Sequence, residues 1–393
     1  MSNRVGGFIG QDGLNAPDEP TAVSATAGDT QATVSFTAPS DVGGSAITGY
    51  RAQSNDGIGA SGSASPITVT GLTNGTAYTF RVWAINAFGY SAPSDASGSV
   101  SPQAPRALVM GGRGSAPYNT IQYVELGTSG NFSDFGDLTA SAEQAGGLSN
   151  GTRAVAVHSE SGSNIMDYVT IATTGNAVDF GDQVTRSNGI VGAASNDTRG
   201  LFHSEHDPAD IDLVQYITIA TTGNSVSFGN LSPGTSDTAG ACSSPTRALF
   251  AGGRNGPTLY ADIDYFTIST TGNGTSFGNL TVARYFLTGL SSNTRGCFAG
   301  GQVSNNVNVI DYVTIASTGN ATDFGDLTQS KITMGGTSNK IIGIFCGGQV
   351  PAIDLNVVDK ITIASTGNAA DFGDLLGTFE GVGATSSAHG GLS

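Results

Sequence analysis

Apolar residues in this chain come in short runs of five to eight positions, separated by clusters of glycine, serine, asparagine and threonine. No run approaches the length of a membrane span. Between residues 17 and 100 the runs alternate apolar and polar, as in Ala32–Thr37 (ATVSFT), Ile47–Ala52 (ITGYRA) and Tyr78–Ile85 (YTFRVWAI). Period-two alternation bounded by turn residues predicts half-buried strands, so this segment reads as an all-β sandwich. Residues 1–16 are polar, glycine-rich and too short for a core, and Val100–Pro105 (VSPQAP) reads as a semi-stiff linker.

From Arg106 onward the pattern repeats. The run TGNxxxFG(D/N)L recurs six times, with its Gly-Asn pairs opening at Gly130, Gly175, Gly223, Gly272, Gly319 and Gly367. A second run, SNxTR followed by an apolar strand, keeps step with it at Arg153, Arg199, Arg247 and Arg295, and Arg106 opens the series. Near Ile342 the arginine is lost and one residue is inserted. One unit, Ala283–Leu327, parses into four strands: A near Phe286–Leu290, B near Gly296–Gly300, C near Ile310–Ser317 and D near Asp323–Leu327. A four-stranded sheet of this size cannot bury both faces alone, whereas six arranged radially cover one another. The series starts at a B strand and stops after a lone A-like strand, Gly381–Ala388. The last strand is therefore expected to complete the first sheet and satisfy both open edges.

These motifs carry two resemblances. PDEPTAV, Tyr50 and GLTNGTAYTFRVWAINAFGYSAPS resemble a fibronectin type III domain over residues 17–100. Tyr78, six residues after Leu72, stands at that family's tyrosine-corner position, whose hydroxyl ties back to nearby backbone. Phe36 stands where the family often has tryptophan. The repeats resemble kelch repeats, with a double glycine closing strand B and a tyrosine in strand C. An aromatic follows the C–D turn, here Phe135, Phe180, Phe228, Phe277, Phe324 and Phe372. The expected fold is thus all-β: an N-terminal arm (1–16), a fibronectin type III sandwich (17–100), a linker (101–105) and a six-bladed kelch-like β-propeller (106–393).

Composition narrows the function. The 393 residues include 58 glycines and only 12% charged side chains, which suits many strands joined by tight turns. The net charge is −16, with 3 basic and 7 acidic residues in 1–105 and 12 and 24 in 106–393. Such a surface repels a phosphate backbone, so nucleic acid is not an expected partner, nor is membrane insertion. Three cysteines, Cys242, Cys297 and Cys346, without CxxC spacing argue against a disulfide framework or zinc site and read as buried hydrophobes. The N-terminus lacks a basic-then-apolar signal pattern, which leads to the expectation of folding in a cytoplasm.

No catalytic signature appears: no GxSxG, no P-loop, no dinucleotide fingerprint. The nearest approach to a metal site is His203, Glu205, His206 and Asp207, echoed by His158-Ser159-Glu160 one repeat earlier. The spacing is not HExxH, and solvated loop side chains are the expectation, as are plain glycine turns rather than calcium loops for the DFGD runs. No cofactor is expected.

In a four-stranded meander the A–B and C–D turns share one side, and the B–C and D–A loops the other. The first set is uniform; the second differs in every repeat, from RNGPTLYAD to QVSNNVN and QVPAIDLN. The varied face is therefore expected to make contacts, through Tyr118, Arg254, Tyr260, Arg284 and Tyr285, since tyrosine and arginine supply most hot-spot energy. TGNxxDFGDL and SNTRGxFxGG runs, with a lone fibronectin module, resemble structural proteins of tailed bacteriophages, especially those of marine cyanobacteria. That resemblance implies a non-enzymatic virion protein (tail fibre, appendage or capsid decoration), made in the host cytoplasm and present in several copies or as a homo-oligomer. It would be held to other virion proteins through its N-terminal arm and would contact host-surface glycans. A secreted or surface bacterial carbohydrate-binding adhesin is the alternative, and a propeller enzyme a third.

Overall fold

The computed structural model describes residues 14–114, 118–127, 129–159, 163–187, 189, 191–203, 212–232 and 240–393. The chain divides into two compact units, Met1–Ala104 and Pro105–Ser393. The described residues of both are strands, turns and bends without a helix.

In the first unit a three-stranded sheet (Thr21–Gly28, Gln31–Thr37, Ile67–Thr70) faces a four-stranded one (Gly59–Gly62, Gly49–Ser54, Phe80–Asn86, Gly89–Tyr90). The alternation seen in the sequence decides which side chains enter: Ala32, Val34 and Phe36 from one strand, Phe80, Val82 and Ala84 from another. Phe36 meets Tyr50 at 4.8 Å between ring centroids. The Thr73 N–H donates to the Tyr78 hydroxyl at 3.0 Å, the tyrosine-corner bond. Ser91, Ser94 and Ser97 accept the amides of Ala84, Val82 and Phe80 through their hydroxyls. Backbone amides of the same serines donate to the carbonyls of Ala84, Val82 and Phe80, so side chain and backbone together finish the edge beyond Gly89–Tyr90. Residues 1–13 of the expected arm lie outside the described residues. Asn15 belongs to the sandwich: it donates to Gly43 O at 3.0 Å and accepts from Asn86 Nδ2 at 2.9 Å.

The second unit is built of six antiparallel sheets, each with four strands in A–B–C–D order. In the fifth, A is Thr288–Ser291, B Arg295–Ala299, C Val309–Thr314 and D Thr322–Asp326. Strand A begins two residues later than the apolar run suggests, because Phe286 holds a φ of 58°, which breaks the strand conformation. In the first sheet the strands are Arg106–Met110, Thr120–Glu125 and Ser133–Asp137, and Gly383–Ser386 pairs with Arg106–Met110 as the fourth. The sixth sheet gains two extra strands, Arg113–Gly114 against Ala370–Glu380 and Gln349–Val350 against Ile353–Thr362.

Neighbouring sheets are tied by bonds that recur six times. The Asx side chain of each TGN turn accepts a backbone amide of the preceding sheet's D strand. Asn176 accepts from Asp137, Asn224 from Asp182, Asn273 from Asn230, Asn320 from Asn279 and Asn368 from Asp326. Asn131 accepts from Asp374 at 3.1 Å, so the sixth sheet meets the first as the others meet each other. The glycine of each FG pair makes this approach feasible: at Gly278, φ +155°, a Cβ would lie 2.2 Å from Gly319 O. At the A strands, hydroxyls of Ser243, Ser291, Ser338, Ser386 and Ser149 donate to the carbonyls of Ser195, Ser243, Ser291, Ser338 and Ser386. Only the Ser149 carbonyl receives something else, His389 Nε2 at 3.1 Å. Replacing Asn320 by alanine removes one such tie and leaves an amide unpaired. About 1 kcal/mol of destabilisation is expected in denaturant titration.

Candidate recognition site

The uniform turns prove to have structural work. Each SNxTR arginine reaches into the next sheet: Nη1 of Arg106, Arg153, Arg199, Arg247 and Arg295 donates to the carbonyl of Ile171, Ile219, Ile268, Ile315 and Ile363 respectively, at 2.8–3.0 Å. The same guanidinium lies 4.3–4.8 Å over the strand-C tyrosine of its own sheet, Tyr123, Tyr168, Tyr216, Tyr265 or Tyr312. Those tyrosines in turn meet the repeat phenylalanines edge-on. In the sixth sheet Ile342 and Lys360 replace the arginine and tyrosine, and Asn339 Nδ2 reaches Leu126 O at 3.5 Å. The SNxTR face is occupied in holding the sheets together.

On the opposite side the loop 252–261 of the fourth sheet folds into a small hairpin, Arg254–Asn255 against Thr258–Leu259. Its Arg254 guanidinium stands 4.5 Å over the Tyr285 ring and 5.5 Å from that of Phe286. Tyr285 and Phe286 are themselves in contact at 4.4 Å. Tyr285 is held by a reciprocal backbone bridge to Gln302, and its hydroxyl donates to Gln302 Oε1. From there amides continue across the loops, Gln302 Nε2 to Asn306 Oδ1 at 3.2 Å and Asn306 Nδ2 to Gln349 O at 3.1 Å. Tyr260 closes the hairpin by accepting the Arg284 amide at 3.2 Å. The result is a fixed, half-buried cluster of arginine, tyrosine and phenylalanine rimmed by carboxamides.

Four of the five expected contact residues, Arg254, Tyr260, Arg284 and Tyr285, therefore lie on neighbouring loops. Tyr118 lies on a loop of the first sheet, where its carbonyl accepts Ala142 N at 3.1 Å. Arg284 needs correction: its side chain is fully buried, not exposed. Its Nη1 pairs with Asp311 Oδ2 at 3.0 Å and its Nη2 donates to Phe298 O at 3.2 Å. Burial lowers its pKa, and Asp311 opposes that shift.

Arg284 belongs to a buried belt that the sequence reading missed. Strand C carries an acid or amide just before its tyrosine position: Gln122, Asp167, Gln215, Asp264, Asp311 and Asp359. All six are buried. Asp167 pairs with His158 at 3.0 Å and Asp359 with Lys331 at 3.2 Å, in both cases with neither side chain exposed. Burial alone would raise the Asp167 carboxyl, but His158 and Thr139 outweigh it and hold it low. Burial lowers the Lys331 pKa against the pull of Asp359. Asp264 has no cation beside it among the described residues, and burial pushes its carboxyl up.

His158 is thus a buried side chain against Asp167, not a solvated loop residue. His203 is also buried, its Nδ1 3.1 Å from Leu213 O. Glu205 and His206 lie outside the described residues. Among the described residues no three His, Cys, Asp or Glu side chains converge to hold a metal. Cys242, Cys297 and Cys346 are buried free thiols.

The fibronectin type III domain model matches residues 18–99. A crystal structure of titin domains is similar at 29% identity, covering 22% of this chain and 32% of that one, with a TM-score of 0.22. No curated protein matches the chain.

Proposed function

We propose that residues 105–393 form a closed six-bladed, kelch-like β-propeller and that the protein is a non-enzymatic virion surface protein of a tailed phage. In this reading its varied propeller face contacts the host envelope, and carbohydrate in particular. Closure is supported by the Asn131–Asp374 tie, the serine hydrogen bonds and the pairing of Gly383–Ser386 with Arg106–Met110. The virion setting is supported by the likeness of the TGNxxDFGDL and SNTRGxFxGG runs to phage structural proteins. A recognition role rests on one observation above the others. On the varied face the Arg254 guanidinium, Tyr285 and Phe286 stack together at the loops, an arginine–aromatic group of the kind that anchors ligands. Aromatic faces beside carboxamides suit a sugar ring, which offers C–H groups to the one and hydroxyls to the other. The N-terminal arm is the proposed attachment to other virion proteins, in several copies per particle.

The experiment replaces Arg254 and Tyr260 by alanine and measures binding to host cells or purified envelope polysaccharide. A loss of roughly 1–2 kcal/mol of binding per anchor is expected, with the melting temperature lowered by no more than a few degrees, since half-buried stacking contacts are worth only about 0.5–1 kcal/mol. Binding that survives in the double variant, or that follows the fibronectin module, would refute the assignment of the site. Labelling the protein on imaged particles tests the virion setting separately. Its absence from particles, together with retained polysaccharide binding, would favour a bacterial adhesin.

A further inference from the structure

Residues 387–393 run across the serine bonds of the A strands and touch turn after turn of the uniform face. Ser387 N donates to Arg106 O at 3.0 Å, and Asn293 Nδ2 to Leu392 O at 3.1 Å. Ser393 N donates to Asp197 Oδ2 at 3.2 Å, and Lys340 Nζ to Ser393 O at 3.3 Å. The two glycines fit only as glycines. A Cβ on Gly391 would lie 1.7 Å from Ser195 O, and one on Gly390 2.5 Å from Ser291 Oγ. Beneath the segment lies a cavity of about 40 Å³ lined by His389, Ser195, Ser243 and Thr337, among others. The Thr337 hydroxyl is buried there without a hydrogen-bond partner. The segment is a fitted cover over the centre of the A strands.

Its one titratable side chain occupies the gap in the serine series. His389 Nδ1 accepts the Gly391 N–H at 3.2 Å, so the ring proton sits on Nε2, which donates to Ser149 O at 3.1 Å with Ser195 Oγ 3.3 Å away. A protonated ring would turn an N–H toward the Gly391 N–H, and among the described residues no carboxylate touches it to share the charge. Of the charged groups facing it, Lys340 opposes protonation and Asp197 favours it. Cys242 lines the same cavity, and burial raises its thiol pKa, keeping it neutral.

We propose that residues 387–393 are an acid-released plug: protonation of His389 unseats the segment from the turns and serines that it covers. Burial pushes the seated imidazole down to about 4 from its ordinary 6.5. Above pH 6.5 both states are neutral and the plug is fully favoured. As pH falls from 6.5 towards about 4, the released ring takes up a proton that the seated ring does not, and seating weakens through that window. The open-to-seated ratio should rise on the order of tenfold between about pH 8 and about pH 5.

Hydrogen–deuterium exchange of the full chain tests this, read on the peptide that ends at Ser393 and corrected for intrinsic exchange at each pH. Protection of that peptide is expected to fall on the order of tenfold on going to about pH 5, while peptides covering the B and C strands stay protected. His389→Gln, which cannot titrate, should exchange equally at both pH values whether its plug sits tightly or loosely. The proposal is overturned if the wild-type peptide keeps its protection in acid, or if the glutamine variant shows the same acid response. Loss of protection in all strands together would equally overturn it, since that is global unfolding.

Discussion

Deleting residues 379–393 is expected to abolish cooperative folding of the 105–393 unit. The deletion removes Gly383–Ser386, which pairs residue for residue with Met110–Ala107, and so bares the edge of the first sheet. It also removes Phe379, Val382 and Leu392, each at most 5% exposed. Their burial is worth roughly 5–9 kcal/mol together at ordinary transfer energies, against a total stability of about 5–15 kcal/mol for a domain. Two serine bonds go as well, those joining Ser386 to Ser338 and Ser149 to Ser386. An unpaired, apolar strand edge is an aggregation template, so the shortened protein should elute as soluble aggregate and lose its calorimetric transition. A monomer melting at the parent temperature would mean that Gly383–Ser386 does not hold the sheets together, and the closed-propeller reading would fall with it.

The strand pattern was readable because each repeat states it in local terms. TGN turns need glycine and asparagine at fixed offsets, and FG pairs need a glycine that lets the next sheet's turn approach. The alternation of Ala32–Thr37 and Phe80–Asn86 likewise fixed which side chains enter the sandwich core. What stayed hidden depends on partners distant in sequence. Arg284 sits in a loop between Ala283 and Tyr285 and looks solvent-facing on its own. Only the strand-C aspartate of the same sheet, 27 residues later, makes a buried pair of it. His158 misled for the same reason, since Asp167 comes from the adjacent strand of its own sheet. A faint signal existed: the Asp or Gln that precedes each strand-C tyrosine recurs too regularly for a solvated position. The cover at 387–393 gave no pattern at all, because Ala388-His389-Gly390-Gly391 gains meaning only from the turns it fits.

Replacing Arg284 by alanine should have the second large effect, and it separates structural support from recognition. The change leaves the Asp311 carboxylate in a site with no exposed surface, still accepting the Thr281 hydroxyl but without its cation. Breaking one side of a buried pair costs about 3–5 kcal/mol, which for a unit of this size lowers the melting temperature on the order of 10 °C. Replacing both partners by apolar residues of similar shape, Arg284→Met with Asp311→Leu, should recover most of that loss, since no charge is then stranded. Because Arg284 N bonds to Tyr260 O and Tyr285 follows directly, the single variant should also weaken ligand binding by loosening the cluster above it. The double variant should restore binding along with stability, whereas Arg254→Ala should weaken binding with only a small change in melting. If Arg284→Ala instead melts within about 2 °C of the parent (under 1 kcal/mol at this size) while binding is lost, then the guanidinium reaches the ligand directly, and its buried pairing with Asp311 is not what the protein uses it for.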